Sequence, residues 1–137
     1  MTGVQTCALP ISIRGYVTWV KSANTSLNSA LTSQSIATVG SAGTINTIST
    51  GSDAYVLNVA LTTHTGGGTG TCAADVGYTG TASQGGTLST TFQPVGSCNG
   101  TSAGDIFTLK EKVTIGTIRA AANDYTDTLT VTAAGIF

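Results

Sequence analysis

Apolar and polar residues alternate along most of this chain, most clearly in two places. At 125–137 (YTDTLTVTAAGIF), Thr128, Thr130 and Thr132 alternate with Leu129, Val131 and Ala133. Successive side chains of a strand point to opposite faces of a sheet. Leu129 and Val131 are therefore expected to face a core and the threonines to face outward. The run stays apolar through Ile136 and Phe137, so the pattern predicts a strand that something must cover. At 54–62 (AYVLNVALT), Tyr55, Leu57, Val59 and Leu61 share one face, and Val56 and Ala60 partly line the other. That two-sided apolar pattern predicts a strand in mid-sheet.

Weaker alternation predicts further strands. Residues 13–20 read as one, with Ile13, Val17 and Trp19 as apolar anchors, and 35–39 and 44–49 as two more around a turn at 40–43. Residues 76–82 and 86–92 read as a pair joined by a turn at Gln84-Gly85-Gly86. In 105–119, Phe107, Leu109, Val113 and Ile115 sit at even spacing around Lys110-Glu111-Lys112, giving two strands or one with an exposed hump. The polar segment 21–34, with Leu27 and Leu31 four apart, reads as a loop, a frayed strand or a short helical turn. The glycine tract at 65–71 and the stretch 94–104 read as loops. About eight strands at this spacing predict an all-β sandwich.

Composition sharpens the picture. The 137 residues fit one domain with a core of its own. The chain has 27 threonines and 18 glycines, residues that favour strands and turns respectively. A 40% hydrophobic content with sustained alternation argues against a disordered linker. Net charge is −1, and the basic residues Arg14, Lys21, Lys110, Lys112 and Arg119 are scattered, so a nucleic-acid partner is not expected. No apolar run approaches a membrane span, and no membrane insertion is expected.

Residues 1–11, MTGVQTCALPI, resemble the conceptual translation of a widely used sequencing adapter at all eleven positions. The expected organisation is then a non-native leader at 1–11 followed by a single β-sandwich domain at 12–137. The start also lacks the basic and continuous apolar regions of a signal peptide. Any native secretion signal is expected to have been lost by truncation.

With Cys7 set aside, Cys72 and Cys98 form an even pair flanking two predicted strands. A disulfide is the leading expectation, which implies an oxidising compartment; two free thiols and a metal site are the alternatives. A metal is disfavoured because no second Cys or His stands at ligand spacing. His64 is the only histidine, and no serine lies in a nucleophile-elbow motif. The glycines at 66–70 have neither a following Lys nor a helix to make a phosphate loop. The carboxylates Asp53, Asp75, Asp105, Glu111, Asp124 and Asp127 are dispersed singly, with Asp124 and Asp127 placed to cap the final turn. The chain is therefore expected not to be an enzyme and to need no cofactor.

The ending N-D-Y-T-D-T-L-T-V-T, residues 123–132, resembles the C-terminal signature of the spore coat protein U-like domain, found in subunits of archaic chaperone–usher pili. Those chains close with a turn, a Tyr-Ser/Thr-Asp-Thr element and an alternating Val/Thr strand that ends in an aromatic. Asn123, Tyr125, Asp127, Thr128, Leu129 and Val131 occupy those positions, with Phe137 as the aromatic, and Ala133-Ala134-Gly135 extends the strand. The resemblance implies an immunoglobulin-like sandwich lacking its final strand. It implies an acceptor groove at Tyr125, Leu129, Val131, Ile136 and Phe137, filled first by a periplasmic chaperone and then by a neighbouring subunit. The implied destination is the periplasm and then the cell surface. The alternative expectation is a self-contained binding or virion-decoration sandwich, which an exposed aromatic platform would favour.

Overall fold

The computed structural model describes residues 4–8, 13–64 and 69–137, and every regular element in them is a β-strand. In chain order these are β1 (Val4–Ala8), β2 (Tyr16–Ser22), β3 (Ser26–Ser29), β4 (Gln34–Ala37), β5 (Ile45–Thr47) and β6 (Ala54–Thr63). They continue with β7 (Thr71–Ala74), β8 (Gln84–Gly86), β9 (Gln93–Asn99), β10 (Ile106–Thr114) and β11 (Leu129–Gly135). One sheet has the order β1-β10-β6-β8-β5 and a second the order β11-β2-β9-β7; β3 and β4 form a separate hairpin. All named pairs are antiparallel. The protein is all-β, with two sheets arranged as a sandwich.

One apolar cluster joins the sheets. Tyr55, Leu57 and Val59 of β6 and Phe107 and Leu109 of β10 meet Tyr16 and Val20 of β2 and Val95 and Cys98 of β9. Tyr16 meets Phe107 edge to face, with centroids 6.3 Å apart. β6 lies between β10 and β8, and Val56 packs on its far side with Ile48 and Ala54 in a second cluster. The mid-sheet reading of 54–62 holds, and 106–114 is one continuous strand.

The inward face of β2 differs from the expected one. Tyr16, Thr18, Val20 and Ser22 are buried, whereas Val17 and Trp19 are half-buried and Ile13 is exposed. Thr18 is tolerated inside because its hydroxyl donates to the Gly96 carbonyl at 2.9 Å. Ser22 is satisfied in the same way by donating to Asp127 at 2.5 Å. Local alternation gives the period of a strand but not which of its faces is covered.

Two glycine-containing stretches also changed role. Gln84-Gly85-Gly86, expected as a turn, is β8, and 93–99, expected within a loop, is β9. A side chain on Gly86 would strike the Tyr78 ring, and one on Gly96 would strike Phe107. These glycines mark close packing rather than chain reversal. Pro94 enters β9 beside a register shift opposite Thr18 and Trp19, where a missing N–H is tolerated. The β3–β4 hairpin takes its first strand from 21–34, expected as a loop, a frayed strand or a short helical turn, and its second largely from the strand expected at 35–39.

β1 lies in the adapter-like segment and runs along β10 from Val4↔Lys110 to Ala8↔Ile106. Ladder bonds are made by the main chain, so an edge accepts an extended segment with little regard to its side chains. The remainder of the leader and the glycines expected as a loop at 65–68 lie outside the described residues.

Candidate functional site

β11 forms the edge of its sheet. It pairs with β2 from Leu129↔Ser22 to Gly135↔Tyr16, and among the described residues no strand pairs with its other side. Leu129 and Val131 pack against the core yet remain half-buried, while Thr130 and Thr132 are exposed. The strand is anchored at both ends. Asn28 and Thr126 exchange backbone bonds of 2.9 and 3.0 Å, and the Ile136 N–H donates to Gly15 at 2.8 Å. Beyond that bond Ile136 is 45% exposed and Phe137 98% exposed. Phe137 is thus bare and Ile136 only partly covered by the described chain.

A cavity of about 260 Å³ lies before β11, lined by Leu27, Ile36, Tyr55, Val113, Ile115 and Tyr125, with Glu111 and Asp127 as its charged groups. The Tyr55 hydroxyl donates to Glu111 at 2.5 Å. Burial first, and then the neighbouring Glu111 carboxylate, push the Tyr55 phenol well above its ordinary range. β1 covers β10 only through Lys110, so among the described residues Glu111–Thr114 have no strand on that side. The cavity sits among Tyr55 of β6, the end of β10 that β1 leaves uncovered, the β3–β4 hairpin and the segment that leads into β11.

The five residues expected in one groove are thus distributed. Tyr125 lines the cavity, Leu129 and Val131 lean on the core, and Ile136 and Phe137 stand at the opposite end of β11. The aspartates near the final turn divide their roles. Asp127 accepts from the Thr128 N–H at 2.8 Å, whereas Asp124 caps a distant loop, accepting from Ser29 at 2.6 Å and from the Leu31 N–H at 2.9 Å.

A second constellation was not legible from spacing. Asp105, fully buried, accepts the Tyr16 hydroxyl at 2.7 Å through Oδ2, and its Oδ1 lies 2.6 Å from His64 Nδ1. Cys72 and Cys98 are directly opposed on β7 and β9 and form a disulfide, with Cα atoms 4.0 Å apart. Cys72 Sγ lies 3.4 Å from Asp105 Oδ2, a contact in which a disulfide sulfur has no proton to donate. Burial alone pushes the Asp105 carboxyl up. The interactions with Tyr16, then Ser102, then His64 outweigh it and hold the carboxyl below its ordinary value. Burial, and then the Asp105 carboxylate, push the Tyr16 phenol well above its ordinary range. Residues 41 apart in sequence make the His64–Asp105 pair, so spacing carried no signal of it.

The class that these features define is an all-β, disulfide-bonded, two-sheet protein in which β11 is one of four edge strands among the described residues. No family model matches the chain, and comparison with curated proteins and with solved structures returns no match.

Proposed function

We propose that this protein is a structural subunit of a secreted bacterial surface fibre or coat, assembled by β-strand addition to an immunoglobulin-like sandwich that lacks a strand. The observation that carries this reading is the free edge of β11, where Leu129 and Val131 are half-covered and Phe137 is bare. An open edge over incompletely covered core invites pairing with another chain. The C-terminal resemblance supplies the partners, a periplasmic chaperone and neighbouring subunits. Head-to-tail addition of this kind is a heterologous contact, which propagates into a fibre.

The disulfide fits assembly in an oxidising compartment such as the periplasm, followed by display at the surface. No helix among the described residues is long and apolar enough to cross a membrane. For the self-contained binding sandwich, Tyr16, Tyr55 and Tyr78 are enclosed in the core, which leaves the half-buried Trp19 and the exposed Phe92 as its aromatics at β2 and β9. The His64–Asp105 pair is bonded inward to Tyr16 and the disulfide corner, so no enzymatic activity is proposed.

The test is to mix the purified chain with peptides of alternating apolar pattern, measuring melting temperature and following assembly by sedimentation and electron microscopy. Peptides that raise the melting temperature and incorporate along β11 support the reading. A monomer whose melting no peptide or chaperone changes would refute it.

A further inference from the structure

The disulfide corner holds more donor chemistry than a crosslink requires. Cys72, His64 and Asp105 each offer one ligand atom, and these atoms lie within 4.8 Å of one another. Cys98 is bonded to Cys72, which places a second sulfur one bond from the first, at the margin of that group. Two sulfurs, one imidazole nitrogen and one carboxylate oxygen form a donor set that suits tetrahedral Zn²⁺. The four donors come from four places in the chain, the ends of β6 and β9, the start of β10 and the middle of β7. Tyr16 donates to Asp105 from behind, the kind of outer bond that orients a carboxylate ligand.

We propose that this corner is a redox-gated zinc site: with the disulfide reduced, Cys72, Cys98, His64 and Asp105 together bind one Zn²⁺. In the oxidised protein both sulfurs are committed to each other and the site is closed. A dithiol or phosphine reductant delivers two electrons to the S–S bond, two protons complete the thiols, and the reductant leaves oxidised. Zn²⁺ then displaces both thiol protons, the proton that His64 Nδ1 directs at Asp105 passes to Nε2 through solvent, and the freed Nδ1 lone pair binds the metal. The physical need for a cation is specific. Both sulfurs ionise only with the ion bound, because two bare thiolates beside the buried Asp105 carboxylate would place three like charges together. A divalent ion removes that repulsion and ties β7, β9 and the start of β10 in place of the covalent link.

The experiment uses the full chain with Cys7→Ser, so that the third thiol is absent, reduced with a phosphine that is then removed without air. Zinc content is measured by mass spectrometry, and Co²⁺ serves as a spectroscopic substitute. The expected result is one metal per reduced chain, with thiolate-to-cobalt charge-transfer absorption and tetrahedral d–d bands, and none in the oxidised chain. His64→Ala and Asp105→Asn are each expected to weaken binding by at least about tenfold. Far-UV circular dichroism is recorded throughout. If the reduced chain unfolds without metal, Zn²⁺ is expected to restore the β spectrum, because ligand binding and folding are then coupled. Equal binding by the oxidised chain, no binding by the reduced one, or binding that neither His64→Ala nor Asp105→Asn changes would each overturn the proposal. So would a reduced, unfolded chain that Zn²⁺ fails to refold.

Discussion

Replacing Asp105 by alanine in the oxidised protein is expected to be among the most damaging single changes. Asp105 is fully buried and accepts from Tyr16 at 2.7 Å while facing His64 at 2.6 Å. Its removal leaves the Tyr16 hydroxyl, on a residue that is itself 0% exposed, without an acceptor, a loss of about 1–3 kcal/mol. Losing the part-buried hydrogen bond to His64 adds about 1 kcal/mol, for a total of about 2–4 kcal/mol, a large share of the roughly 5–15 kcal/mol of a typical domain. For a chain of this size, that corresponds to a fall in Tm of roughly 10 °C. Asp105→Asn keeps one acceptor for Tyr16 and should cost about 1–2 kcal/mol. Urea denaturation followed by circular dichroism, with thiol labelling to verify the disulfide, measures both. Tyr16→Phe combined with Asp105→Ala should cost less than the two single changes summed, because one bond is counted twice.

The pH dependence follows with a definite sign. The folded carboxyl titrates below its unfolded value. Its contribution is therefore fully present above the ordinary carboxylate range near about 4 and is lost as pH falls through the folded value. The gap between wild type and Asp105→Asn should narrow over that acidic window. A cost under about 1 kcal/mol for Asp105→Ala, or a gap that widens on acidification, would refute the reasoning.

Three other outcomes are expected. Cys72→Ser with Cys98→Ser opens a link between residues 26 apart; loop-closure entropy puts the cost near 3 kcal/mol, checked by denaturation under non-reducing conditions. Gly96→Ala drives a methyl group into the Phe107 ring, costing about 1–3 kcal/mol by overpacking; a Tm equal to wild type would contradict that packing. Phe137→Ser removes a side chain that is 98% exposed, so monomer stability should stay within about 0.5 kcal/mol. Pairing with donor peptides should weaken if Phe137 belongs to the assembly edge, as a peptide titration followed by Tm will show.

The all-β class, the strand at 54–62 with apolar residues on both faces and the final alternating strand were determined by local alternation, because a two-residue period needs no tertiary information; that the final strand lies at an edge was decided by the sheet order. Tyr55, Leu57 and Val59 were correctly assigned to the core, and Leu129 and Val131 to the face that leans on it. Whether β2 turns Tyr16 or Trp19 inward was decided by the opposing sheet, since both faces of that strand alternate equally well. The same holds for Gly85, Gly86 and Gly96, which read as chain reversal until the neighbouring backbone and rings are present. The Cys72–Cys98 pairing was anticipated from an even count, but the convergence of His64, Asp105 and Tyr16 upon it was not. Those contacts join segments far apart in the chain, and only the stacking of two sheets sets the distances between them.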